Sequence, residues 1–437
     1  MFFPGLIVCA GALTISCRAL QFRRFGLAMR LTVGSIRLRP ADRKSGTVTP
    51  FQAAATALGS TVGTGNIVGV SQAIAMGGPG ALFWLWAAAL IGMIVKYAEV
   101  ALAIYYRRGS IGSGPMDYIT HGLGRPHLSR VYGVLVTLSA FCMGNLVQVS
   151  SIADSFVRAV DACTVGPMQS PAALRFALGL VLAAVTALLL SGGAGRVGTA
   201  AEAMVPLMSL LFIAASMAVV AVNHSRIACV MSTVFIEAFR PGAITGGIYG
   251  VTTAQCIQWG LRRSAFSNEA GLGTAAIAHA AADTDDPAAH GMWGIFEVFA
   301  DTIVICTCTA LAILCSGVNI PWGSVTGTEV YQSALASVFG ARTSAVFMAV
   351  TICLFAYTSV MGWAVYGSRC AEYISGRRGA ALYGFLFPCV CLCGCVMSTK
   401  GAWQIADLIN ALMSLPNLAS LLMLAPVAGK ISRKIDT

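Results

Sequence analysis

The chain has 437 residues, 57% of them apolar and only 10% charged, with a mean hydropathy of +0.78. Soluble domains carry about 25% charged residues, so a soluble fold is excluded, and the long apolar blocks exclude a β-barrel, which reads as short alternating segments. The net charge of +11 does not mark a nucleic-acid binder, because most of the cations fall in alternate loops between apolar blocks.

The first block, residues 1–20, has no basic stretch ahead of it and reads as a retained membrane helix. Residues 21–47 form a basic loop. Further crossings are expected at 48–76, 79–106, 131–158, 173–191, 200–222, 243–281, 289–315, 343–371, 379–398 and 402–428, each near the roughly 20 apolar residues that a helix needs. That makes an all-α polytopic membrane protein with about eleven helices. Arg18 to Lys44, Arg107, Arg108, Arg125, Arg130, Arg196, Arg369, Arg377, Arg378, Lys430, Arg433 and Lys434 fall on one face. Arg158, Arg175, Arg226, Arg240, Arg342 and Lys400 fall on the other. The positive-inside rule then puts the N-terminus outside a cell membrane and the C-terminal tail, 429–437, in the cytoplasm.

The second block contains Gly59-Ser60-Thr61-Val62-Gly63-Thr64-Gly65-Asn66. Each glycine costs about 0.8–1.0 kcal/mol relative to alanine in a helix interior, and freed backbone groups in hydrocarbon need other partners. The spacing predicts a helix unwound near residue 63. Amides at the half-helix that starts near Asn66 suit a carboxylate. Carbonyls of the half-helix that ends near Val62 suit Na⁺. Residues 48–222 and 243–428 form two five-helix blocks of opposite direction, each headed by a Gly-rich interrupted helix, Gly59 to Gly69 and Gly246 to Gly273. Paired broken helices of that kind point to an inverted-repeat transporter with a midplane site.

Asn145, Gln148 and Ser151 share one helix face and read either as polar glue between helices or as a cavity wall, with Gln148 the better wall residue. In the seventh crossing the break is expected at Gly250 to Ala254. Glu269 is expected to pair with Arg262 or Arg263 toward the cytoplasm. Lys96, Glu99 and Asp301 are expected to pair near membrane ends, with a proton relay as the alternative. Thr358 and Ser359 either bond back to their own helix or help to hold a hard cation. The 15 cysteines lie mostly in apolar segments and read as small fillers, with no metal or redox site. His279 has no carboxylate at helical spacing before Asp283. No nucleophile–base pair or metal set assembles, so an enzyme is not expected.

Gly-Thr-Gly-Asn-Ile-Val-Gly (63–69) and Ser-Asn-Glu-Ala-Gly-Leu-Gly (267–273) resemble the alanine/glycine:cation symporter family. The likeness extends through Gly77-Gly78-Pro79-Gly80, Lys96-Tyr97-Ala98-Glu99, Gly114-Pro115-Met116, Gly144-Asn145-Leu146-Val147-Gln148, Ala278-His279-Ala280-Ala281 and Gly362-Trp363, so it covers essentially the whole chain. The resemblance implies a LeuT-type 5+5 inverted repeat behind one extra N-terminal helix. It implies uptake of small neutral amino acids, chiefly alanine and glycine, with Na⁺ as the co-transported ion. The carbonyls of Gly59 and Val62 and the hydroxyls of Thr358 and Ser359 would hold the sodium. Thr64, Gly65 and Asn66, in the turn that runs to Gly69, would face the substrate carboxylate. Gln148, Gly250, Val251, Thr252 and Thr253 would line the rest of the pocket. The partners implied are the amino acid and the lipid bilayer, with no nucleic acid; no protein partner can be inferred. A proton-coupled carrier stands as the alternative.

Overall fold

A computed structural model describes residues 2–34, 48–108, 112–164, 170–240, 252–325, 327–397 and 399–436. Among these residues the backbone is helical throughout, apart from loops and one isolated bridge between Val48 and Ala282. Helix α1 (Phe2–Ser16) stops at Arg18 and Ala19, both at positive φ (54° and 52°), so it is shorter than the block 1–20 that announces it. Helix α2 (Pro50–Thr61) starts on a capping box: Thr49 accepts from the Gln52 amide, Gln52 reaches back to the Thr49 amide, and Pro50 opens the first turn. A wide π-type turn, Gly65–Gly69, then leads into α3 (Val70–Gly77).

The rest of the first half comprises α4 (Ala81–Tyr105), α5 (Pro126–Cys163), α6 (Pro171–Leu190) and α7 (Gly193–Val222). A helix that the hydropathy pattern did not announce, α8 (Ile227–Phe239), precedes the second interrupted element, α9 (Thr253–Asn268) and α10 (Thr274–His279). The chain closes with α11 (Pro287–Ser316), α12 (Glu329–Phe339), α13 (Ala341–Val396) and α14 (Thr399–Arg433). Seven of the described helices are long and apolar enough to cross a membrane. One of them, α13, is two legs meeting at Gly376, whose φ of 63° and ψ of −158° no helix contains. With that doubling, α1 and the two interrupted elements, the described helices accommodate the eleven expected crossings.

Burial sorts the helices. Helix α4 lies in the interior, whereas α6 and α7 turn rows such as Leu180, Leu188 and Leu210 outward, as a lipid-facing rim requires. Between interior helices the contacts are close because small residues allow it. An ideal Cβ on Gly294 of α11 would stand 2.6 Å from the Lys96 carbonyl oxygen of α4, and one on Gly144 of α5 would stand 2.2 Å from Trp363 Cβ of α13. Backbone cannot rotate away as a side chain can. Gly294→Ala is therefore expected to push α11 off α4 and to cost about 1–3 kcal/mol of stability, read as a lowered melting temperature in detergent. An unchanged melting curve would show that the helix pair yields freely.

Candidate functional site

The first break falls at the glycines. Helix α2 ends at Val62, whose backbone is extended (φ −74°, ψ 90°). Asn66 then splints the gap: its Oδ1 accepts from the Gly63 amide at 2.9 Å, and its own amide donates to the Gly63 carbonyl at 3.3 Å. The Thr64 amide points at Gln148 Oε1 of α5, 3.5 Å away. From the other side, Ser359 of α13 lies 3.2 Å from the carbonyls of both Gly59 and Phe355. Thr358 donates to the Phe355 carbonyl at 2.9 Å, and an ideal Cβ on Gly59 would lie 3.3 Å from Thr358 Cβ. Gly59, Val62, Thr64, Gly65, Asn66, Gly69, Gln148, Thr358 and Ser359 are thus buried around one interruption.

The second break is not where the sequence reading put it. Gly250 and Val251 lie outside the described residues. Thr252 and Thr253 are exposed at the start of α9, where the Thr252 hydroxyl accepts from the Gln255 amide as a helix cap. The helix runs on for 16 residues, about 24 Å at 1.5 Å per residue, and only then opens. Glu269, Gly271 and Gly273 take φ of 56°, 90° and 79°. Two amides of this turn are claimed by Glu99 of α4, whose Oε1 accepts from Gly271 and Gly273 at 3.0 Å and from Asn417 Nδ2 at 2.7 Å. The two breaks touch, since Asn66 Nδ2 donates to Ser267 Oγ at 3.0 Å.

The profile of the sodium:alanine symporter family matches residues 1–436. The chain belongs to that family. It is 38% identical over 425 residues to the sodium/alanine symporter AgcS of Methanococcus maripaludis, covering 95% of this chain and 89% of that protein. It is 32% identical to the probable sodium/glutamine symporter GlnT of Bacillus subtilis, covering 95% and 83%. Among solved structures it resembles MhsT in complex with L-phenylalanine, with a TM-score of 0.61 at 14% identity, over 90% of this chain and 99% of that one. The fold is therefore LeuT-type, and the chain is a multi-pass amino-acid symporter, not an enzyme.

Several charged residues of the symporter stand elsewhere than expected. Asp301 is not near a membrane end. It sits fully buried midway along α11, in a π-type segment (Phe299–Cys306). Its Oδ1 accepts from Asn66 Nδ2 at 2.7 Å, and its Oδ2 accepts from Ser267 at 2.7 Å and Thr302 at 2.8 Å. A carboxylate in the middle of an apolar span is the signal that could have found it. Glu269 meets neither Arg262 nor Arg263; it accepts from Trp363 Nε1 at 3.0 Å and from the Thr274 hydroxyl at 2.5 Å. Lys96 donates to the Asn268 carbonyl at 2.7 Å and faces Glu297 at 3.4 Å, both side chains fully buried. His279 does have a carboxylate partner, but from another helix: its Nε2 lies 2.6 Å from Glu297 Oε1, and its Nδ1 lies 2.9 Å from His290 Nε2.

Asn145 departs from the face of Gln148. Its Nδ2 donates to the Phe387 carbonyl at 2.7 Å, because a π-type turn over Cys142–Leu146 shifts the register there. Arg262 and Arg263 belong to the half-helix α9, on the side of Arg158 and Glu329, where Arg262 pairs closely with Asp407 of α14. A cavity of about 560 Å³ opens on that side. It is bounded by Arg158 and Glu329 near its mouth and reaches Val68 and Ser151 beside the first break.

Proposed function

We propose that this symporter carries small neutral amino acids, chiefly alanine and glycine, into the cell together with Na⁺. The observation that supports it most is the interrupted first helix with Ser359 against the Gly59 carbonyl. The carbonyls of Gly59 and Val62 and the hydroxyls of Thr358 and Ser359 bind the sodium, as hard oxygen donors suit a hard cation. Thr64 and Gly65 receive the substrate carboxylate; Thr64 Oγ1 is buried with no hydrogen-bond partner among the described residues. Gln148 flanks the substrate. The Asn66 side chain is occupied by Gly63, Ser267 and Asp301, its amide by the Gly63 carbonyl and its carbonyl by Thr309, so it supports the break instead of touching the substrate. A pocket bounded by the glycine-lined break is expected to admit a methyl side chain and little more. Sodium joins the two halves across the break, and the halves rock around the loaded site. The basic loops put the C-terminus in the cytoplasm of a cell with this protein in its inner membrane, with residues 48–222 and 243–428 as the two repeats.

Thr358→Ala is expected to raise the Na⁺ concentration for half-maximal alanine uptake by about tenfold, the loss of one oxygen ligand. An unchanged requirement would remove Thr358 from the ion site. A proton-driven reading has one observation in its favour: the buried series His290, His279, Glu297 and Lys96 reaches the second break at the Asn268 carbonyl. It requires that His279→Gln stop uptake and that a pH gradient alone drive it.

A further inference from the structure

A groove of about 570 Å³ lies between α7 and α13, open on the side of the exposed Leu211, Val346 and Val350. Arg342, Val346, Val350 and Leu354 stand four residues apart, so a single face of α13 forms one wall. Met208 and Leu211 of α7 stand opposite. From Arg342 to Leu354 the helix rises about 18 Å, close to one leaflet of a hydrocarbon core roughly 30 Å thick. The groove is thus as long as a leaflet is deep, apolar along its walls and cationic at one end. Arg342 is the only charged residue in its lining. It is exposed and has no hydrogen-bond or ion-pair partner among the described residues. Arg158, Arg175 and Arg226, which the loop positions group with it, are all answered, by Glu329, Asp154 and the Cys315 carbonyl.

We infer that the groove binds one anionic phospholipid, its phosphate on Arg342 and an acyl chain reaching Met208. The bound lipid raises the affinity of the first break for Na⁺. A guanidinium takes phosphate oxygens in its plane, and the apolar walls cover the chain. No carboxylate lines the groove to receive the ammonium of a zwitterionic headgroup, so the site favours a net negative one. The inner end touches the first break. Thr358 Oγ1 lies 3.6 Å from Met208 Sδ and 3.1 Å from the Leu354 carbonyl. One turn before Met208, Val205 Cγ2 stands 3.1 Å from an ideal Cβ on Gly59. A chain filling the groove holds α7 and α13 in contact at the level of Gly59 and Thr358, where a gap would loosen both. The effect on Na⁺ rests on the sodium reading of those two residues; the lipid site does not.

In the test, the full chain in detergent is offered equal amounts of phosphatidylglycerol and phosphatidylethanolamine, and native mass spectrometry reads what is retained. One phosphatidylglycerol per protein is expected, in preference to phosphatidylethanolamine. Arg342→Gln should lower that preference about fivefold, the contribution of one basic residue at a lipid surface. Val350→Trp, which fills the groove from its exposed side, should lower retention of either lipid about tenfold, as the loss of two buried methylenes would. No retained lipid, equal retention of the two, a preference that Arg342→Gln leaves intact, or full retention by Val350→Trp would overturn the site. Alanine uptake is then measured in proteoliposomes of phosphatidylethanolamine mixed with either phosphatidylglycerol or phosphatidylcholine. The Na⁺ concentration for half-maximal uptake should be about fivefold lower with phosphatidylglycerol, and Arg342→Gln should abolish the difference. Membrane surface charge alone would act equally on the variant, so a difference that persists there overturns the effect on Na⁺. Uptake that ignores Na⁺ in both membranes refutes the sodium reading and leaves the lipid site, read by mass, standing.

Discussion

Gly63→Ala is expected to cut sodium-driven alanine uptake to about one hundredth or less, the penalty for misplacing a site by about 1 Å, while the protein stays folded. The added Cβ would stand 2.4 Å from Ser359 Oγ and 3.4 Å from Gln148 Oε1. No Cβ tolerates the first distance, so either Ser359 rotates or the two helices separate. Rotation breaks the Ser359 contact to the Gly59 carbonyl, and separation opens the break. Both outcomes damage the same place. The surrounding helices need not change, so purified protein should elute as a single species with near-normal stability. Uptake close to that of the unsubstituted protein would mean that the contact between α13 and the first break has no part in transport.

The second large effect concerns stability. Lys96→Met should cost about 3–5 kcal/mol, because it strips one partner from a buried pair and leaves the other charge behind. Glu297 would keep only His279, and the Asn268 carbonyl at the second break would lose its donor. The double variant Lys96→Met, Glu297→Gln removes the orphaned charge and should recover part of the loss, a coupling that thermal melts of all four proteins would measure. A double variant as unstable as the sum of the two single changes would show that Lys96 and Glu297 act independently.

The first break was legible because its signal is local. Six glycine and hydroxyl positions packed into eight residues leave little helix to preserve, and Val62 and Gly63 break where their neighbours say. Gln148, Thr358 and Ser359 were legible for a related reason: polar side chains in apolar spans have few places to go. The second break was misplaced because the glycines at 246–250 drew attention from Ser-Asn-Glu-Ala-Gly-Leu-Gly. The chain also spends Ile227–Phe239 on a separate helix, and hydropathy counting cannot see where the next descent begins. That offset put Arg262 and Arg263 on the face opposite to Arg158, whereas they share a cavity wall with it. The partners of Glu99, Asp301 and His279 come from helices distant in sequence, and spacing along one helix does not disclose them. Asn145 acts as the polar glue between helices that was one of its two readings, since it donates to the Phe387 carbonyl.

Transport as proposed depends on an interrupted helix that holds Na⁺ and a small amino acid together. The most direct test is [¹⁴C]alanine uptake into proteoliposomes under an inward Na⁺ gradient, repeated with choline in place of Na⁺ and with an imposed pH gradient instead. Accumulation with Na⁺ that vanishes in choline at equal pH is the predicted result. Accumulation that ignores Na⁺ and follows the pH gradient would contradict it.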